Sequence, residues 1–521
     1  MNPSKTAILM TAFVVTLIQS ALVQSPLALA QDKTDLDQTG VQWAPFLEWE
    51  LANTTFRGNP YDLEATVTFA HRDSGEQRTT GMFYSGDDTW KFRFTATRPG
   101  VWTFKTTSDD SELDVRTGSV TIEPNPRGYG FVTYRGNKWV RPRGESGQLE
   151  WFVPQFVMYD GPDVFHRQPA RIDAHIQMAL AEHGFTGFHV PVLCRWFNLN
   201  SESSADIDTD DPNPDPRTFE ALELLITKSH VAGGVVHLWA WGDDQRDQTP
   251  ARWGINGKAD KRLQRYIAAR LGPLPGWTMG YGFDLWEWVD ETQLTEWHRN
   301  MHDHFGWPHM LGARSSTNEL DQLSEALDYA SYEQHRPDYA MYVQTIERRP
   351  EKPSFSEDRF RVREGGYPEK DYDLTRTRHG LWHSAMAGGV ANIWGYMLPD
   401  RMQVSNPEPA FPYPQPHLVK TYAEFFRGRL LMEMRRDNDM TDGVCLRDPS
   451  GTHWLVYGED VESVRLDLSG MPEAQVAVAV DTKKPYKEVE LGQLPPEQQN
   501  WKVPYVSDWA IAIGEFPGRT R

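Results

Sequence analysis

The chain has 521 residues, with 53 basic and 73 acidic side chains and a formal net charge of −20. Its length exceeds one ordinary domain and implies two to four folded units, while so acidic a surface repels polyphosphates and argues against nucleic-acid partners. The only cysteines are Cys194 and Cys445, which excludes a disulfide scaffold; a bond across a domain interface and two buried free thiols both fit.

At the start of the chain, Lys5 is followed by an apolar stretch over residues 7–23 and by Ala28-Leu-Ala30. Residues 1–30 thus read as a secretory signal cleaved before Gln31. An uncleaved anchor is the rival reading, and the Ala-x-Ala site favours cleavage. The expected location is periplasmic or secreted. No later stretch is apolar for long enough to span a bilayer, so no stable membrane insertion is expected after cleavage.

Residues 38–124 read as strands only. Segments 63–69, 90–94 and 101–104 alternate, and turns at Asp73-Ser-Gly75, Ser85-Gly-Asp87 and Arg98-Pro-Gly100 punctuate them. Short alternating strands at that spacing predict a β-sandwich. It carries no group suited to chemistry and fits a supporting or substrate-contacting role.

Beyond a linker at residues 124–128, strand-like runs alternate with helical periodicity over 129–421, the signature of parallel strands joined by helices. The candidate strands are 138–143, 187–192, 234–239, 278–286, 309–312, 330–333, 353–356 and 390–394. The helix over 170–183 sets Ile172, Ile176, Ala179 and Leu180 on one face and stops at Gly184; the next has Asp215 as N-cap and Pro216 at its first position. Eight such units fit a (β/α)8 TIM barrel. A doubly wound open sheet competes, but no Gly-rich phosphate loop follows the first strand. Residues 422–518 return to strands and predict a second β-sandwich. The fold class is therefore multidomain α/β plus all-β, a central barrel flanked by N-terminal and C-terminal β-sandwiches. The acidic run Asp206-Ile-Asp-Thr-Asp-Asp211 lacks the glycine and terminal glutamate of a calcium loop and reads as solvated.

Barrel active sites gather at the C-terminal ends of the strands. Glu287 and Glu357 stand at the ends of the fourth and seventh candidate strands, seventy residues apart. Two carboxyls across one cleft are the minimal apparatus for breaking a glycosidic bond. Glu287 lies between two tryptophans, whose apolar surroundings would keep it protonated as an acid; Glu357 precedes Arg359 and Arg361, which suit an ionised nucleophile. The bland alternatives are a helix-starting residue and half of an ion pair. Arg195, Trp196, Asn198, Trp239, Trp241, Tyr332, His335, Trp394 and Tyr396 at other strand ends, with Asp284 beside Glu287 on strand four, are the expected sugar contacts, aromatic faces stacking on sugar rings. His298 and His302 lie one helical turn apart, a metal-ligand spacing, with His304 beyond. No glutamate follows His298 as in a zinc protease, and these read as surface histidines on an outer helix. No Gly-x-Ser-x-Gly elbow occurs and Cys194 has no evident partner, which disfavours serine and cysteine hydrolases. No metal or other cofactor is expected.

Gly81-Met-Phe-Tyr-Ser-Gly-Asp-Asp-Thr-Trp-Lys-Phe-Arg-Phe94 and Pro99-Gly-Val-Trp-Thr-Phe104 resemble a β-sandwich module of unknown function found in front of bacterial polysaccharide-degrading enzymes. Lys352-Pro-Ser-Phe-Ser-Glu357 resembles the Lys-Pro-x-x-x-Glu nucleophile strand of the clan of retaining glycoside hydrolases, apiosidase-like members included. The C-terminal part resembles the small sandwich that often follows such barrels. The resemblance implies an exported enzyme acting on a plant or algal polysaccharide or oligosaccharide, with Glu357 as nucleophile and Glu287 as acid/base. That clan usually presents Asn-Glu on strand four; here Trp286 precedes Glu287, and Asp284 is the second candidate for the acid. A non-catalytic carbohydrate-binding protein on a degenerate barrel is the alternative, and a polysaccharide lyase a third.

Overall fold

The computed structural model describes residues 36–317, 324–334, 337–360, 374–395 and 416–517; the leader read at residues 1–30 lies outside them. In the N-terminal module, alternation in Ala65–His71, Thr89–Phe94 and Gly100–Ser108 puts large rings on one face of each strand. A five-stranded and a three-stranded sheet bury those faces against each other. Trp49 and Phe92 of the smaller sheet meet Phe104 of the larger at 5.2 and 5.4 Å. Each buried ring stabilises by about 2–3 kcal/mol.

The barrel begins one hairpin later than residues 138–143 suggest. Lys138–Arg143 pairs antiparallel with Thr133–Arg135 and Gln148–Trp151. Trp139 from this hairpin donates to the carbonyl of Ser354 at 3.0 Å and plugs the floor against Tyr329 and Phe355. The first parallel strand is Gln155–Met158, four residues that are all buried and therefore show no periodicity.

The remaining strands follow in order: Gly187–Pro191, Val235–Trp239, Trp277–Gly280, the split strand Leu311–Gly312 and Arg314–Thr317, Ala330–Glu333, Ser354–Phe360 and Ala391–Trp394. The split explains how the ring closes. Leu311–Gly312 pairs with the fourth strand and Arg314–Thr317 with the sixth, so neighbours change across Ala313, and the eighth strand pairs with the first. Alternate residues then face the interior or the helices. Helix Pro216–Val231 begins as expected, with the Asp215 side chain accepting from the Arg217 N–H, and buries Phe219, Leu222 and Leu225. Helix Arg171–Ile176 runs into a π-helical turn, Gln177–His183, that ends at left-handed Gly184, φ 87°. A β-carbon at Gly184 would fall 2.6 Å from that of Ala423.

The C-terminal part is a six-stranded, mainly antiparallel sheet. Its long strands, Trp454–Asp467 and Gln498–Ile513, slip register between Gly458 and Ser463. Val456 and Ile511 before the slip share one core with Val464 and Val503 beyond it, so the sheet folds over itself. Cys194 and Cys445 are both free and buried.

The acidic run is more than a solvated loop. Fully buried Arg262, on helix Lys258–Arg270, binds Asp62 of the N-terminal module at 2.6 Å and Asp211 of the run at 2.8 Å. Arg93 of the module likewise reaches Glu223 of helix Pro216–Val231 at 2.8 Å. Among the described residues no helix is long and apolar enough to cross a membrane.

Candidate active site

Glu357 lies within the seventh strand and points into the barrel. Its side chain is 0% exposed. Ser331 Oγ, from the sixth strand, donates to one carboxylate oxygen at 2.6 Å, and His237 Nε2, from the third, lies 3.0 Å from the other. The Ser331 hydrogen bond offsets part of the cost of burying the carboxyl group. The fourth strand makes room by having Gly280 there: a β-carbon on it would stand 2.6 Å from Glu357 Oε1. His237 Nε2 is also 2.9 Å from the Tyr329 hydroxyl, and its Nδ1 is 2.6 Å from Nδ1 of His189. Of two nitrogens that close, one donates and the other accepts.

Glu287 is not at a strand end. The fourth strand stops at Gly280, the chain turns through Asp284 in the left-handed region (φ 52°), and Glu287 closes the short 3-10 helix Leu285–Glu287. Asp tolerates that conformation better than most residues. Glu287 accepts from Gln245 Nε2 at 2.9 Å. Its carboxyl is raised above the ordinary glutamate value by burial and by the negative charges of Asp284, Asp243 and Asp244, against the opposing Gln245 hydrogen bond. Asp284 is engaged differently: Arg314, the first residue of the second half of the split fifth strand, reaches it at 2.5 Å and Glu333 of the sixth strand at 3.3 Å.

Trp239, 2% exposed, borders the same space in front of Gly280 as Glu357 Oε1. Its ring lies 4.2 Å from His189 and 4.8 Å from Phe283, and the Arg314 guanidinium is 5.7 Å from it. Glu357, Trp239, Asp284 and Glu287 therefore belong to one end of the barrel.

The other expected contacts are dispersed. Trp196 is buried against Phe219, its Nε1 donating to the carbonyl of Ala240. Trp241 packs with Phe197 in the core outside the strands. Trp394 faces that same layer and donates to Gln155 Oε1 at 2.9 Å. Tyr332 is fully buried and, next to inward Ser331, points the other way. Arg195 is paired with Asp163 at 2.7 Å and with Glu202. Asn198 accepts from the N–H of Asn200 within its own loop. His335 and Tyr396 lie outside the described residues. His298 and His302, expected on the surface, are partly buried and converge on Asp328.

His237, Ser331, Gln245 and Arg314 were not among the residues singled out in the sequence. A signal existed for the first two, a polar residue inside the short apolar strands Val-Val-His-Leu-Trp and Ala-Ser-Tyr-Glu. Arg314 lies beyond Gly312, where the fifth strand was expected to end.

Residues 41–109 match the family model described as a domain of unknown function (DUF5060). The chain matches no curated protein sequence. Among solved structures, a putative glycoside hydrolase from Bacteroides vulgatus ATCC 8482 is similar with a TM-score of 0.70 at 16% identity, over 92% of this chain and 100% of that one. A family 5 glycoside hydrolase from the same organism is similar with a TM-score of 0.53 at 13% identity, over 74% and 93%. At such identity the likeness is one of fold: this chain has the architecture of glycoside hydrolases.

Proposed function

We propose that this protein is an exported glycoside hydrolase cleaving a plant or algal polysaccharide or its oligosaccharides by a two-carboxyl, retaining mechanism. Glu357 attacks the anomeric carbon and Glu287 protonates the leaving oxygen, then deprotonates the incoming water. A retaining reaction requires the two carboxyls about 5 Å apart in the substrate complex. The observation that carries this reading is the buried Glu357 side chain, held by Ser331, with His237 Nε2 3.0 Å from its other oxygen, in the space left by Gly280 of the fourth strand. A carboxylate so oriented is positioned before substrate arrives, which is how such sites gain rate. The raised Glu287 suits a proton donor, while Asp284 is already taken up by Arg314.

The full burial of Glu357 also favours a second reading. A nucleophile must reach the anomeric carbon, so a carbohydrate-binding protein with an occluded carboxylate is the alternative. A panel of plant and algal glycans, followed by reducing-sugar release and by titration calorimetry, separates the two. Release by the native protein that falls by ~10²–10⁴-fold in both Glu357→Gln and Glu287→Gln supports hydrolysis. Binding without release supports the alternative, and wild-type release by both variants rejects the assignment of the pair.

A further inference from the structure

Helix Glu291–His304 starts on a capping box between Asp290 and Gln293 and buries Leu294, Trp297 and Met301. That phase leaves His298 and His302 on its flank, one turn apart, with ring centroids 4.4 Å from each other. Both turn toward Asp328, just ahead of the sixth strand. His302 Nε2 lies 2.8 Å from one carboxylate oxygen and His298 Nε2 3.3 Å from the other. The potential donor atoms of all three residues lie within 4.8 Å of one another. The carboxylate is anchored from behind, since the N–H of Leu311 donates to Oδ2 at 2.9 Å and the N–H of Asp328 donates to the carbonyl of Leu311 at 2.9 Å.

We propose that His298, His302 and Asp328 form a binding site for one divalent first-row cation, best matched by Zn²⁺. Two imidazoles and a carboxylate are a donor set suited to that ion. Bonds of about 2.0–2.2 Å to a tetrahedral Zn²⁺ put neighbouring N and O ligand atoms about 3.3 Å apart. The spacing of His298 Nε2 to Oδ1 already has that value, Oδ2 is the oxygen held by the Leu311 N–H, and the His302 ring, now on Oδ2, would turn toward Oδ1 to complete the set. Side-chain exposures of 15%, 32% and 17% leave a solvent-facing side for water as the fourth ligand. Binding asks each neutral ring to carry its proton on Nδ1 and offer Nε2. The Leu311 N–H supplies the outer hydrogen bond that orients a ligating carboxylate.

Asp328 stands where the sixth strand begins, whereas Glu333 ends it. The site is therefore at the opposite end of the barrel from Glu357, and its cation ties the helix to the starts of the fifth and sixth strands. It takes no part in bond cleavage and is independent of the proposed reaction.

The test uses the full chain after dialysis against EDTA. Titration with ZnCl₂ in a calorimeter should show a single saturating equivalent, and Zn²⁺ should raise Tm until EDTA is added. CoCl₂ should give the intense visible bands of four-coordinate cobalt, a readout that needs no variant. His302→Ala and Asp328→Asn should weaken Zn²⁺ binding by more than the ~10–100-fold that loss of a supporting hydrogen bond costs. A native chain giving no saturable heat and only the pale spectrum of hydrated cobalt overturns the proposal. So does binding that persists unchanged in both variants, which would put the ion elsewhere.

Discussion

Oε1 of Glu357 occupies the space in front of Gly280, 2.6 Å from the point where a side-chain carbon would stand. The seventh strand's carboxylate thus depends on the fourth strand having no side chain there. Gly280→Ala should push the carboxyl off His237 and Ser331. A displacement near 1 Å costs on the order of 10²-fold in rate. Steady-state turnover, with circular dichroism as the control for folding, checks this; undiminished turnover would remove Glu357 from the chemistry.

Glu287 gives a pH prediction with two opposite signs. A general acid works while protonated, and a raised carboxyl stays protonated further into the alkaline range. The alkaline limb of kcat/KM should lie above the ordinary glutamate value of about 4.3. Gln245→Leu removes the hydrogen bond that favours the charged form and should move the limb up. Asp243→Asn removes a repelling charge and should move it down. Identical profiles in the two variants would mean that another group sets the limb.

Trp286, beside Glu287, is 58% exposed, whereas most tryptophans here are buried. An indole presented to solvent can stack on a sugar ring without supporting the fold. Trp286→Ala should leave unfolding stability within about 0.5 kcal/mol and raise KM severalfold, matching ~0.5–1.5 kcal/mol of lost stacking. Urea melts and oligosaccharide kinetics check the two halves separately.

Asp508 joins the C-terminal sheet to barrel helix Leu374–Met386 through Arg378 at 2.6 Å and His379 at 3.1 Å, with Lys483 at 2.9 Å. Burial alone would raise its carboxyl, but hydrogen bonds from His379, Lys483 and the Asp460 N–H, with the Arg378 charge, hold it well below the usual range. A depressed carboxyl stabilises the fold above its unfolded value near 3.9, and that stability is lost as pH falls below it. Asp508→Asn should cost about 3–5 kcal/mol at pH 7. The gap in Tm between native and variant should narrow below pH ~4, and a gap independent of pH would sink the linkage.

Much of the architecture was legible because burial leaves periodic marks. Asp215 and Pro216 announced a helix, and alternation announced both flanking sheets. The first barrel strand escaped because Gln155–Met158 is buried on both faces, while the hairpin at Lys138–Arg143 carries the more regular pattern. The site was legible as residue types near strand ends but not as directions. Trp239 and Trp394 both close strands, yet one faces the interior and the other the helices. A one-residue change of phase decides that, and short apolar strands do not reveal their phase. Arg314 was hidden by the break at Ala313, and the His298–Asp328 approach joins residues thirty positions apart.

Arg262 draws its counter-charge from two places, Asp62 before the linker and Asp211 after it. Severing the chain near residue 124 would strand half of that neutralisation on the discarded piece and uncover a helix face on which Arg262 keeps only Asp211. Trimming this protein to a minimal barrel should therefore yield aggregated or unfolded material, and the leading module counts as scaffolding for the barrel.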